Sequence, residues 1–552
     1  MGHDFPLELL IGRRGVARSG AAGDAPAGNG IRRATDAPPG RGGKAVLLTR
    51  RDAVVMLGSG VVAGAMTSAR AASGSAGDID DLFAERDALG LAELVRHREV
   101  TPAELLDAAL RRVERIDAGT HAVVLRHDEQ ARAQVSAGVG GPFAGVPFLL
   151  KDLHIRLAGT VTDNGSRFFR GALAGEDDEL TRRYKRAGLV IFGKTGSPEL
   201  GLTGTTESAL HGATRNPWNL ERTAGGSSGG AAAAVAARLV PVAHASDGAG
   251  SIRTPASCCG VFGLKPTRGR VPLGPERFEG WNGLTTQHAV SLSVRDNAAL
   301  LDATAGPEVG SPYVAPPPVR PFLEEVTASP GSLRVALVTS PVSGSPVDAE
   351  CVAAVEDTAR LLEELGHHVE EAKLPVDHER TNAAMLATLC VNTLKALEDR
   401  SKVLGRPWTP EDVEPVTFKL AEMGRDFDGV AYIRARESFE EAGRAMALFH
   451  QRFDVVLTPT LAKPPVPIGV LSLSPVDFDA YVREVTTFGP FTALYNMTGQ
   501  PAMSVPLFWS ADGLPIGTML AAAYGNEALL FRLAGQLERA RPWWNRRPPA
   551  AI

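Results

Sequence analysis

Between residues 225 and 253 two glycine–serine clusters enclose an alanine run and a short apolar segment. No other stretch limits the fold as strongly. The first cluster is Gly225-Gly226-Ser227-Ser228-Gly229-Gly230, and Ala231 to Ala237 follow at once with the composition of a helix. Leu239 to Ala243 reads as a short buried strand, and Ser246-Asp247-Gly248-Ala249-Gly250-Ser251-Ile252-Arg253 forms the second cluster. A Gly/Ser run by itself is usually a flexible linker. One that leads directly into a helix and a buried strand belongs to the folded body. Small residues beside a hydroxyl let backbone N–H groups approach a carbonyl closely, as an oxyanion hole requires.

The rest of the body alternates helices and strands. Thr101-Pro102-Ala103-Glu104 is a capping box, and Leu105, Leu106, Ala109, Leu110, Val113 and Ile116 share one face of the helix it opens, which is expected to end before Gly119. Leu189 to Phe192 reads as a second buried strand. Leu333 to Val338, Asp348 to Leu365 and His368 to Ala372 read as strand, helix and strand. Such alternation implies an α/β layered fold. Ser311 to Pro321 carries five prolines and reads as a surface crossing within one large domain over 80–540. The 59 glycines and 39 prolines suit a loop-rich enzyme with many tight turns.

A serine hydroxyl is a poor nucleophile near neutral pH until a base takes its proton. None of the 12 histidines stands in a recognisable pairing with these serines, and no G-x-S-x-G elbow is present. A lysine can serve if burial disfavours its ammonium form. Lys151 closes the apolar run Gly145-Val146-Pro147-Phe148-Leu149-Leu150, which places it at the end of a buried strand. On its own such a lysine would more often be one that snorkels to solvent.

Lys151, Gly225–Gly230 and Asp247–Arg253, in this order and spacing, resemble the amidase signature family of serine hydrolases. Gly193-Lys194-Thr195, Pro198-Glu199-Leu200-Gly201, His211 to Trp218, Gly263-Leu264-Lys265-Pro266-Thr267, Asn496 to Ala502 and Gly513 to Gly517 extend the resemblance over most of 80–540. It implies an amidase signature fold, an α/β/α sandwich with a mixed central sheet. By the same resemblance Ser251 is the nucleophile that forms an acyl-enzyme. Ser227, joined to Gly226 by a cis peptide bond, bridges it to Lys151, the base and acid. The N–H groups of Gly248, Ala249, Gly250 and Ser251 form the oxyanion hole. Asp247 and Arg253 fix the loop, and Ser228 supports the relay. The implied reaction converts a small-molecule amide to acid and ammonia or amine without cofactor or metal. Ala249 stands where relatives often have glycine and requires a negative φ; Gly196 stands where many have asparagine.

Cys258-Cys259-Gly260 with the 247–253 run is most similar to bacterial amidases that include cyclic-amide hydrolases of the 6-aminohexanoate dimer type. The amidase component of a glutamyl-tRNA amidotransferase, which works with partner subunits, is an alternative within the family; an inactive binding protein on the same fold is one outside it. Retention of Lys151, Ser227 and Ser251 together argues against the inactive form. Acyl specificity and assembly are not legible, a homodimer being among the arrangements left open.

Other signals point elsewhere or nowhere. The net charge of −5 comes without a basic stripe, against a nucleic-acid partner. Four cysteines are too few for a disulfide framework, and no CxxC or HExxH spacing supports a metal. Gly188 to Thr195 fits G-x-x-x-x-G-K-[ST], but its bulky apolar interior reads as a strand and not as a phosphate loop. Cys390 is expected in the core, with the acyl pocket as the other reading; Trp281 and Trp509 could take either place.

Residues 1–48 are rich in Ala, Gly, Arg and Pro and are expected to be disordered, or residues 1–45 to derive from a start assigned too far upstream. Arg50-Arg51, the apolar stretch Ala53 to Met66 and Ala69-Arg70-Ala71 have the parts of a twin-arginine export signal over 49–72. The expected location is periplasmic or extracellular, with no stable membrane association after cleavage. A basic tail ahead of a buried helix, in a cytoplasmic protein, is the alternative.

Overall fold

The structure is a computed structural model that describes residues 76–549. The expected extension and export signal, over 1–48 and 49–72, lie outside the described residues. Strands β1 (Val123–Arg126), β2 (Pro147–Lys151) and β3 (Val190–Thr195) form a small sheet in the order β1-β3-β2. Two ribbons follow: β4 (Glu207–Ser208) with β5 (Gly212–Ala213), and β6 (Arg215–Asn216) with β7 (Asn219–Thr223). The main sheet contains β8 (Val242–Asp247), β9 (Phe262–Lys265), β10 (Thr286–Ser291), β11 (Arg334–Leu337), β12 (His368–Glu371), β13 (Val455–Pro459), β14 (Ala502–Trp509) and β15 (Pro515–Ala522). Its order is β12-β11-β13-β15-β14-β9-β10-β8, with β11 parallel to β12 and β13 and the other pairs antiparallel.

Side chains on a strand alternate between faces, so a sheet buried on both sides needs near-continuous apolar strands. The central strands have them. Val455, Leu457, Leu520 and Ala522 pack in one cluster with Leu530 and Leu533 of the helix Glu527–Ala540, whereas Val456, Met519 and Ala521 pack in another with Met446 and Tyr495. The result is the expected mixed sheet with helical layers on its two faces.

Several boundaries differ from expectation by a residue or more, and two of them have a visible cause. The strand expected over 239–243 lies at 242–247, because the alanine helix ends at Ala236 and Arg238 turns in the left-handed region (φ 59°) before the chain extends. The helix opened by Thr101 passes Gly119 and runs from Pro102 to Thr120; His121 caps it at φ 52°, and Asp117 Oδ1 accepts from Thr120 Oγ1 and Ala122 N at 2.7 Å each. Among the described residues no helix is long and apolar enough to cross a membrane.

Candidate active site

Three chain segments converge at the C-terminal ends of β2 and β8. Strand β2 runs beside β8, where Lys151 N donates to His244 Nδ1 at 3.1 Å. His244 Nε2 faces Gln287 Oε1 at 2.9 Å, which selects the neutral Nε2–H tautomer and leaves Nδ1 to accept. Burial pushes this imidazole down to about 3, so it stays neutral.

Lys151 is fully buried, which excludes the snorkelling arrangement. Its Nζ donates to Ser227 Oγ at 2.7 Å and to Ser246 Oγ at 3.1 Å. Burial lowers its pKa to about 7 despite the opposing pull of Asp247. Ser227 follows a cis Gly226–Ser227 peptide bond. Glycine is required at 226 because a Cβ there would fall 2.1 Å from the Thr205 carbonyl oxygen. Ser228 Oγ donates to the Ser246 carbonyl at 3.1 Å and accepts from Ser246 N at 3.3 Å, which ties the first cluster to the end of β8.

The second cluster is built around a buried ion pair. Asp247 and Arg253 meet through two contacts of 3.0 Å, and neither side chain is exposed. Asp247 also accepts from Gly250 N at 2.7 Å, Ile252 N at 3.1 Å and Asn496 Nδ2 at 2.8 Å. Burial works to raise this carboxyl, but Arg253, Lys265 and Asn496 together hold it well below the usual carboxylate range. Arg253 reaches on to the Thr492 carbonyl at 2.8 Å and Asn496 Oδ1 at 2.7 Å. Removing one partner of such a pair strands the other charge, a loss of roughly 3–5 kcal/mol. Asp247→Ala is therefore expected to lose about that much in a denaturant titration; a loss under about 1 kcal/mol would show that the pair does not hold the loop.

This arrangement corrects one expected role. Gly250 N–H is committed to Asp247 Oδ1 and is not available to an oxyanion. The N–H groups of Gly248, Ala249 and Ser251 have no hydrogen-bond partner among the described residues. Thr492 Oγ1 donates to the Ala249 carbonyl at 2.6 Å, which fixes that peptide's orientation. Ala249 is not among the residues with positive φ, so its methyl group is tolerated; the left-handed turn falls on Gly250 at φ 138°, where a Cβ would meet Thr492 Oγ1 at 2.4 Å.

Ser227, Ser246, Gly248 and Ser251 line one cleft of about 530 Å³. Ser251 is half-buried, and its hydroxyl makes no hydrogen bond with a described residue; no bond closes the gap from Ser227 Oγ to Ser251 Oγ. Catalytic hydrogen bonds are often long before substrate binds. Trp281 forms a wall of this cleft, its ring against the Gly248 backbone. Trp509 packs instead on Trp218, with ring centroids 5.7 Å apart. Cys390 is fully buried in the helix His378–Leu404, and burial pushes its thiol up to about 12. Lys194, from the phosphate-loop-like pattern, lies in β3 and donates to the carbonyl of Ile155 at 3.2 Å and to Thr162 Oγ1.

One cluster could be taken for a metal site. Asp152, Asp163 and His211 bring their ligand atoms within 4.8 Å of one another. Burial opposes protonation of His211, but the two carboxylates, 3.5 and 3.4 Å from Nε2, outweigh it and push the ring up to about 9. The charged ring lies between the two carboxylates, and the three groups form an ion-pair clasp next to Lys151.

Sequence reading missed Ser246, His244, Thr492 and Asn496. Ser246 lies within the second cluster and could have been found there. Thr492 and Asn496 come from another part of the chain; Asn496 opens a stretch that carries the resemblance, but nothing local there points to Asp247 or Arg253.

Residues 104–531 match the model of the Amidase family. The chain is 40% identical over 475 residues to the 6-aminohexanoate-cyclic-dimer hydrolase of Paenarthrobacter ureafaciens, covering 84% of this chain and 96% of that protein. A solved 6-aminohexanoate cyclic dimer hydrolase superposes with a TM-score of 0.80 at 38% identity, covering 85% of this chain and 99% of that one. A bacterial aryl acylamidase of the amidase signature family superposes at 0.75 with 27% identity, covering 83% and 96%.

Proposed function

The chain belongs to the amidase signature family, and from that premise we propose that it hydrolyses carboxylic amides through Ser251, Ser227 and Lys151. The observation that carries the reading is the buried Lys151, partly neutral near pH 7 and bonded to Ser227 on the wall that also presents Ser251. Ser251 Oγ attacks the amide carbon while its proton passes to Ser227, and the Ser227 proton passes to the Lys151 Nζ lone pair. The carbonyl oxygen becomes an oxyanion facing the N–H groups of Gly248, Ala249 and Ser251. Collapse breaks the C–N bond as Lys151, through Ser227, returns the proton to the leaving nitrogen. Water then enters by the same relay, and hydrolysis of the ester frees the acid and Ser251. Asp247, Arg253 and Ser228 hold the geometry and do not touch the reacting atoms.

The test is a fluorophosphonate probe followed by peptide mapping, with ammonia and amine release measured on a panel of linear amides and cyclic oligoamides. The relatives' names put 6-aminohexanoate-type cyclic amides in that panel. A single adduct on Ser251 with turnover of at least one amide is expected. An adduct on another serine overturns the assignment of Ser251, and no adduct with no turnover overturns the reading in favour of an inactive binding protein. Export through residues 49–72 is part of the same proposal: the secreted protein is expected to begin near residue 72, and N-terminal sequencing that finds another start overturns it.

A further inference from the structure

The cleft opens past His154, Leu200, Gly280 and Trp281 into a larger trough of about 1770 Å³. Most charged groups of that trough are already matched. Arg156 pairs with Asp178 at 2.8 Å and Glu276 at 3.3 Å, Lys395 with Asp399 at 2.7 Å, and Arg400 Nε donates to the Phe168 carbonyl at 3.1 Å. Arg277 differs. It is half-buried, lines both the cleft and the trough, and makes no hydrogen bond or ion pair with any described residue.

Burial disfavours the charge of this guanidinium, and the carboxylates that favour it, Glu276 and Asp178, are held by Arg156. Its loop is anchored on both sides. Gly274 N donates to Glu308 Oε1 at 2.6 Å and the Gly274 carbonyl accepts from Glu179 N at 3.0 Å; beyond Arg277, Thr285 N donates to the Gly280 carbonyl at 3.1 Å. A partly dry guanidinium on an anchored loop, without an internal partner, is matched by a carboxylate, whose two oxygens suit its planar fork.

We propose that Arg277 receives a carboxylate carried by the substrate away from the scissile bond, so that the preferred substrates are linear amides with a free carboxylate. This rests on the amide-hydrolysis reading and narrows it. A cyclic oligoamide is uncharged, whereas the half-amide of a straight-chain dicarboxylic acid carries one carboxylate at the far end of its acyl chain. Arg277 selects the second kind.

The test compares mono-p-nitroanilides of straight-chain dicarboxylic acids with p-nitroanilides of monocarboxylic acids of equal length. The ratio of kcat/KM, acid over neutral, is read within each protein, so a general loss of activity cancels. The wild type is expected to favour the acid series by about tenfold or more, Arg277→Met to bring the ratio near one, and Arg277→Lys to fall between. Calorimetric titration with glutarate, adipate and suberate gives a readout without turnover, and Arg277→Met is expected to weaken the best of them about tenfold. Turnover with no acid preference, or a preference and binding that survive in Arg277→Met, overturns the proposal. Failure to cleave any amide, with dicarboxylate binding that still depends on Arg277, overturns the hydrolysis reading and leaves the anion site standing.

Discussion

Ser251→Ala is expected to lower amide hydrolysis by about 10,000-fold or more while leaving the melting temperature nearly unchanged. The wild-type hydroxyl makes no hydrogen bond with a described residue, so its removal leaves no buried partner unsatisfied. The backbone N–H of residue 251 persists in the variant, and so do those of Gly248 and Ala249. Alanine at this position therefore removes the nucleophile and spares the groups that would stabilise the oxyanion. The measurement is kcat/KM from amine release, beside a thermal melt and the fluorophosphonate adduct. Turnover above background would overturn the assignment of Ser251. Loss of the adduct with an unchanged melt supports it.

The second large effect concerns Lys151. Proton transfer by a positioned base contributes roughly 100- to 10,000-fold, so Lys151→Met is expected to lose about that much activity. In the wild type kcat/KM should rise tenfold per pH unit below about 7 and level off above it, because only the neutral amine accepts the Ser227 proton. His244 cannot produce this profile, since burial keeps it neutral throughout the range. A rate flat from about pH 5 to about pH 10 contradicts a lysine base.

Stability should respond too. The pKa of Lys151 is about 7 in the folded chain against an ordinary lysine value of 10.5. Between these values the unfolded chain binds the extra proton, so the contribution of this lysine to stability rises with pH across that window. Below about 7 both states are protonated and the burial penalty is complete. Lys151→Met removes that penalty. Its Tm advantage over the wild type is expected to be largest at pH 6 and to shrink steadily towards pH 10. An advantage that does not change with pH would show that the amine is not strained by burial.

Much of the site was legible because its signals are local. The serines sit in glycine-rich clusters whose backbone has to approach other chain segments closely, and Gly226 against Thr205 shows why no other residue fits. Lys151 ends an apolar run, and strand β2 buries that run completely. The fold class followed from alternating apolar strands and capped helices, where Thr101 and Glu104 make the expected reciprocal cap. Boundaries were less secure where left-handed residues intervened, at Arg238 and His121, since non-glycine residues there give no warning in their type.

The loop from Asp247 to Arg253 marks where local reading stopped. Four adjacent N–H groups look equivalent in sequence, yet Asp247 takes the one at Gly250. Thr492 and Asn496 lock the same loop from the distant C-terminal part of the chain. Residue type and spacing by themselves determined which groups could do the chemistry, because hydroxyl, amine and backbone N–H belong to the residues themselves. Only the tertiary structure decided which were free, which were bonded, and that Lys151 is neutral enough to accept a proton. Desolvation and long-range hydrogen bonds exist only once separate strands have packed around them.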